Sequence, residues 1–184
     1  IQGHLQGRPL NRLCFVQGYG RDAMKTVVIT GGDGDIAKAI KSELDKRGGY
    51  QVHCPGREHL DVTNIESIGN YFSEISTDIL INNAGYIIPA EISENKYNSD
   101  LLSIGVNLSG CFLTTGKVIE NNKDAIVINI GSSAGTNSRG GWSSYCAAKA
   151  GLIMATECWA DEGIRTICIS PGRTDTKMRH ELFP

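Results

Sequence analysis

The chain alternates short apolar runs with stretches whose apolar positions recur every three or four residues. Lys25–Thr30 (KTVVIT) is apolar and β-branched, as a strand buried on both faces should be. Asp35–Arg47 then places Ile36, Ala39, Ile40 and Leu44 on one helical face, and Gly48-Gly49 ends it. Gln51–Cys54 predicts a second strand and His59–Val62 a short third one, followed by an amphipathic helix near Asn64–Ile75. Asp78–Asn82 (DILIN) predicts a fourth strand. Leu101, Ile104, Leu108 and Phe112 mark the face of a long helix over about 97–121. Ala125–Ile130 predicts a fifth strand, Ser143–Asp161 a helix, and Ile164–Ile169 a sixth strand. Apolar strands alternating with helices imply a parallel sheet covered on both faces, and right-handed crossovers make it doubly wound. Residues 1–23 lack any sustained period, so the core is expected over 24–184, with Met24 as its natural start and 1–23 as an upstream extension.

Composition narrows the class. A chain of 184 residues fits one domain with a real core. Lys plus Arg number 18 against 20 Asp plus Glu, a net charge of −2, which excludes a polybasic nucleic-acid or membrane footprint. No apolar run approaches the ~18 residues of a membrane span. The six cysteines form no CxxC and no metal-ligand spacing with the four histidines. They read as reduced, mostly buried thiols of a cytoplasmic protein, and no metal site is expected.

Five motifs carry the chemistry. Thr30-Gly31-Gly32-Asp33-Gly34-Asp35-Ile36-Ala37 joins a strand to a helix, where backbone N–H groups and the helix dipole can hold a phosphate. Asn82-Asn83-Ala84-Gly85 follows a strand directly, at the end of the sheet where ligands bind. Gly131-Ser132-Ser133-Ala134-Gly135 closes the fifth strand. Tyr145-Cys146-Ala147-Ala148-Lys149 sets a phenol and an ammonium four residues apart, on one helix face. A cation there favours the phenolate over a phenol of pKa about 10 and makes a usable acid/base group. Pro171-Gly172-Arg173-Thr174-Asp175-Thr176 follows the last strand.

In this order and spacing the five motifs resemble the short-chain dehydrogenase/reductase family, from about Lys25 to His180. The resemblance implies a Rossmann-like sheet of order 3-2-1-4-5-6, with the family's last strand missing. It implies hydride transfer between a nicotinamide cofactor and a carbonyl/alcohol pair, the cofactor doing the redox chemistry. Tyr145 would be the acid/base. Lys149 would lower its pKa and bind the nicotinamide ribose. Ser132 would hold the substrate oxygen, and Asn107 would hold a water in the proton relay. Gly31, Gly32, Asp33, Gly34, Asp35 and Ile36 would border the pyrophosphate. Asp61, beside Val62, would meet the adenine amino group, and Asn83, Ala84 and Gly85 would line the adenosine side. Thr174 and Thr176, after Pro171 and Gly172, would face the nicotinamide amide. The partner is then a small carbonyl or alcohol compound, with no nucleic acid and no membrane, and the chain is expected to form a dimer or tetramer.

Cofactor choice follows from charge. NAD-preferring members place an acid at the end of the second strand, on the ribose 2′-OH. Here Gly56 stands at that position and Arg57 follows, so NADP is favoured over NAD.

The chain also departs from the pattern. Asp35 and Ala37 stand where the family writes Gly, and the Asp35 carboxylate would oppose a pyrophosphate. Too few residues lie between Cys54 and His59 for a crossover connection, which takes about a dozen. The sequence stops at Pro184, before the family's substrate-covering segment. These departures motivate the competing expectations of a non-catalytic NADP-binding module or an inactive fragment of a reductase.

Overall fold

The computed structural model describes residues 24–183; the extension expected over 1–23 lies outside the described residues. Five strands form one parallel sheet: β1 (Lys25–Ile29), β2 (Tyr50–His53), β3 (Ile79–Asn82), β4 (Ile126–Ile130) and β5 (Arg165–Ile169), in the order β2-β1-β3-β4-β5. The helices are α1 (Asp35–Arg47), α2 (Ile65–Glu74), α3 (Tyr97–Ile104), α4 (Gly110–Asn121), α5 (Ser143–Asp161) and the short α6 (Lys177–Leu182).

Strand alternation sorts side chains between two faces. Val27, Ile29 and Ile81 pack with Ala37, Ile40 and Leu44 of α1. Val28, Leu80 and Val127 point the other way and join Ile68 and Phe72 of α2 and Val118 of α4. Leu152 and Trp159 of α5 pack on Cys111 of α4. The sheet is therefore doubly wound and Rossmann-like, as its pattern predicts.

The predicted third strand does not form. Residues 57–59 and 62–63 are turns, and β2 is the edge of the sheet. The alternation at His59–Val62 reflects burial instead: Leu60 and Val62 are buried in the core cluster beside Phe72 and Val118. With that strand removed, the expected order 3-2-1-4-5-6 becomes the observed five-strand order.

The predicted helix over 97–121 is continuous but not uniform. A π turn, Gly105–Ser109, separates α3 from α4 and carries the wholly buried Asn107. Such turns interrupt helices chiefly at functional sites. By length and composition alone, Tyr97–Asn121 would suffice to cross a membrane, contrary to the reading of the apolar runs. Its Cys111, Thr114, Thr115 and Val118 are instead buried, as in a core helix.

On the α4/α5 face, two strand residues are amides rather than aliphatics. Asn82 Nδ2 donates to Asn129 Oδ1 (2.9 Å) and Thr115 Oγ1 (3.0 Å). Thr114 Oγ1 donates to Asn82 Oδ1 (2.7 Å), and Asn129 Nδ2 donates to Thr156 Oγ1 (2.9 Å). All five side chains are buried. Each group left without a partner in such a network costs about 1–3 kcal/mol. Asn129→Ala strips partners from both Asn82 and Thr156. Urea unfolding should show a loss of about 2 kcal/mol or more at unchanged m value; a loss below about 0.5 kcal/mol would show the network to be incidental.

Candidate active site at the carboxyl ends of the strands

A cleft of about 1010 Å³ opens where β1, β3, β4 and β5 end. The loop after β1 forms one wall. Gly31 has φ +66°, and a Cβ there would lie 2.8 Å from the Ala84 backbone, so only glycine lets the two loops cross. Thr30 pins the crossing: its Oγ1 accepts from the amides of Asn83 and Ala84, both at 3.0 Å, while Asn83 Nδ2 donates to the Thr30 carbonyl (3.0 Å). Gly31, Asp33, Gly34, Asp35, Ile36, Asn83, Ala84 and Gly85 all line the cleft. Gly32 does not. It turns toward β2, its N–H donates to the Pro55 carbonyl (2.9 Å), and any side chain would collide with the Cys54 carbonyl. Its requirement for glycine is packing, not ligand approach.

The far wall holds the candidate acid/base group. Tyr145 and Lys149, one turn apart on α5, both face the cleft with Ser132 from the end of β4. Lys149 is buried, and its Nζ donates to the Ile130 carbonyl (2.8 Å) while standing 5.8 Å from the Tyr145 ring centroid. Burial lowers the Lys149 pKa, with the Cys111 and Cys168 thiols opposing. Burial likewise pushes the Tyr145 phenol above its ordinary value, and a hydrogen bond with Ser132 works the other way. The lowering expected from Lys149 is thus not what governs Tyr145 here; desolvation is. Ser132 Oγ also accepts from the Ala134 amide (3.1 Å), which fixes its rotamer.

Asn107 is not in the cleft. Its Nδ2 donates to the carbonyls of Tyr86 (2.6 Å) and Ser103 (2.9 Å), behind the lining residues Tyr86 and Gly85. Its Oδ1 is buried without a protein partner. Such an orphaned acceptor suits an ordered water.

The adenosine end carries mixed charge. Asp61 accepts from Thr63 N (2.9 Å), Thr63 Oγ1 (2.6 Å) and Arg57 Nε (3.1 Å). Burial pushes its carboxyl up, but these bonds outweigh that and hold it below its ordinary value. Val62 lines the cleft beside it. The Asp33 carboxylate lies against Gly56, so tightly that a Cβ at Gly56 would collide with it. The sequence places no acid at the end of β2, yet the fold returns one from the glycine-rich loop.

The cleft is completed by the segment after β5. Pro171, Gly172, Thr174 and Thr176 line it, and Thr176 Oγ1 caps α6 by accepting from Arg179 N (3.2 Å). Several lining residues carried no sequence signal: Arg139, Trp142, Arg179 and Phe183 belong to no motif. Only the proximity of Arg139 and Trp142 to Tyr145 in the chain hinted at them.

Asp35 resolves its own anomaly. Its Oδ2 accepts from the Lys177 backbone N–H at 2.8 Å, so the carboxylate clasps the start of α6. Asp35→Ala should raise amide hydrogen exchange at Lys177 about tenfold, the equivalent of ~1.4 kcal/mol for an amide bonded to a carboxylate. Unchanged exchange at Lys177 would show that the clasp does not hold the segment.

The comparisons agree with this geometry. The short chain dehydrogenase family model matches residues 58–184. A 3-oxoacyl-[acyl-carrier-protein] reductase of Rickettsia bellii is 30% identical over 86% of this chain and 76% of its own length. An (S)-benzoin-forming benzil reductase of Bacillus cereus is 27% identical over 86% of this chain and 79% of its own. Among solved structures, one titled ribose-5-phosphate isomerase, from Brucella melitensis, aligns with a TM-score of 0.79 and 26% identity over 89% of this chain and 74% of its own, a likeness of fold. A parallel sheet with a glycine-rich first turn, a Ser, Tyr and Lys set on one cleft wall, and a matching family model lead to one assignment: the chain belongs to the short-chain dehydrogenase/reductase family of NAD(P)-dependent oxidoreductases.

Proposed function

We propose that this chain is a carbonyl reductase in which Tyr145 is the proton donor. The observation that supports it most directly is the meeting of Ser132, Tyr145 and Lys149 on one wall of a cleft whose opposite wall is the glycine-rich loop. When bound, NAD(P)H supplies the hydride that the carbonyl carbon receives. Tyr145 gives its proton to the carbonyl oxygen, and solvent restores it. Ser132 hydrogen-bonds the same oxygen and holds the carbonyl toward the phenol. Lys149, anchored on the Ile130 carbonyl, keeps a cation under the Tyr145 ring and offers its remaining N–H groups to ribose hydroxyls. The unpartnered Asn107 Oδ1 would hold a water on the path by which solvent returns that proton.

Burial suits this direction. A phenol held above its ordinary pKa keeps its proton at neutral pH, and a proton is what reduction consumes. Reduction should therefore stay flat through neutral pH and fall only as pH rises past the raised Tyr145 pKa; alcohol oxidation, which needs the phenolate, should climb over the same range. Tyr145→Phe should lower kcat by about 10²–10⁴-fold while leaving cofactor affinity within about twofold. Unchanged turnover in this variant would refute the assignment of the proton donor.

For the cofactor we infer NADP(H) ahead of NAD(H). Arg57 keeps guanidinium N–H groups free beyond its bond to Asp61 and is the cation nearest the 2′ position in sequence terms. Asp33 limits the preference, since its carboxylate accepts a bond from a 2′-OH and repels a 2′-phosphate. Fluorescence titration should find that Arg57→Ala weakens NADPH about tenfold with little change for NADH, and that Asp33→Ser strengthens NADPH. Equal weakening of both cofactors in Arg57→Ala would remove Arg57 from the 2′ site.

A further inference from the structure

We propose that the mouth of the cleft beside Tyr145 selects flat carbonyl compounds that carry a carboxylate, and that Arg139 and Arg179 bind that charge. The inference rests on the reading of Tyr145 as the reacting group.

Two aromatic rings and two guanidinium groups form one stack at this mouth. Arg139 Cζ lies 4.6 Å from the Trp142 ring centroid and 4.9 Å from that of Phe183, and Arg179 Cζ lies 5.3 Å from Phe183. Trp142 stands 5.9 Å from Phe183 and meets Tyr145 edge-on, with centroids 5.8 Å apart and planes at 85°. The Trp142 ring thus touches both the Arg139 cation and the Tyr145 ring.

Neither arginine of the stack is neutralised by a carboxylate among the described residues. Among the described residues, Arg47, Arg57, Lys41, Lys96 and Lys117 each hold a carboxylate, and neither Arg139 nor Arg179 does. The cleft acids Asp33, Asp35 and Asp61 all come from the adenosine and pyrophosphate end. The lining contributed by residues 130–149 and 171–183 includes Arg139, Lys149, Arg173, Lys177 and Arg179 and no carboxylate. The acids of that segment, Asp175 and Glu181, are outside the lining, and Asp175 bonds His180 Nε2 at 2.6 Å.

Chemistry then defines the ligand. A guanidinium held against aromatic rings loses little further freedom on binding, and a guanidinium fork can match a carboxylate in two parallel bonds. The rings of Trp142 and Phe183 offer flat apolar surface to the body of the substrate. A flat aromatic ketone that carries a carboxylate on its ring meets both requirements. 4-Acetylbenzoate has that form, and its methyl ester lacks only the charge.

The test compares this acid with its methyl ester as substrates of the whole chain, with NADPH saturating. The acid should show a kcat/KM about tenfold or more above the ester, and Arg139→Gln and Arg179→Gln should each bring the ratio toward one. A wild-type ratio at or below one overturns the inference, as does a ratio that neither variant moves. Loss of NADPH affinity in the variants equal to the loss for the acid also overturns it, because the arginines would then serve the cofactor. Quenching of Trp fluorescence by 4-acetylbenzoate gives a readout independent of turnover. Saturable quenching that weakens with salt and in Arg139→Gln, with no reduction of either compound, supports the anion subsite and refutes the reductase reading instead.

Discussion

The buried contact between Asn82 and Asn129 is the constraint on which the site depends. The two amides sit in register on adjacent strands, at the last pair of the β3–β4 ladder. Their remaining polar atoms take hydroxyls from both long helices, Thr114 and Thr115 of α4 and Thr156 of α5. An apolar face could slide by a methyl's width at little cost; a saturated set of directional bonds cannot. Asn83, next to one amide, ties the loop after β3 to Thr30, and Ile130, next to the other, gives Lys149 its carbonyl. One buried network therefore sets the spacing between the two walls of the cleft.

Much of this was legible in the sequence because strand runs and motif residues are read locally. β1, β3, β4 and β5 follow apolar runs, and the Tyr145–Lys149 spacing survives folding because a helix fixes it. His59–Val62 misled because alternation reports burial, not pairing; Leu60 and Val62 bury from a looped segment beside an edge strand. The π turn at Asn107 left no mark, since it changes backbone bonding without changing the spacing of apolar residues enough to see. Gly32 and Asn107 belong to motifs that do carry a site, but the neighbours that claim them, Cys54 and Tyr86, are distant in sequence. Arg139, Trp142 and Phe183 were invisible for the same reason: their stack joins a loop before α5 to the segment after β5.

Charge along the cleft is graded. Three carboxylates stand at the end built by the glycine-rich loop and the segment after β2, and two of them are already engaged, Asp61 by Thr63 and Arg57, Asp35 by the Lys177 amide. Spending the Asp35 charge on a backbone N–H removes much of its conflict with a bound phosphate and explains how an acid is tolerated at a glycine position. The same bond ties the start of α6 to the glycine-rich loop. The segment that carries Arg179 and Phe183 is thereby positioned by a residue of the cofactor side.

This coupling has a consequence for how the two halves of the site act together. The Asp35–Lys177 bond makes the glycine-rich loop and the start of α6 one hydrogen-bonded unit. Phe183, just past the end of α6, packs on Arg139, so the clasp at Asp35 and the stack at Arg139 share one short segment. The raised Tyr145 pKa comes chiefly from burial, so the exclusion of water from this wall favours the protonated phenol. Burial of Tyr145, the clasp at Asp35 and the stack at Arg139 thus meet in one cleft.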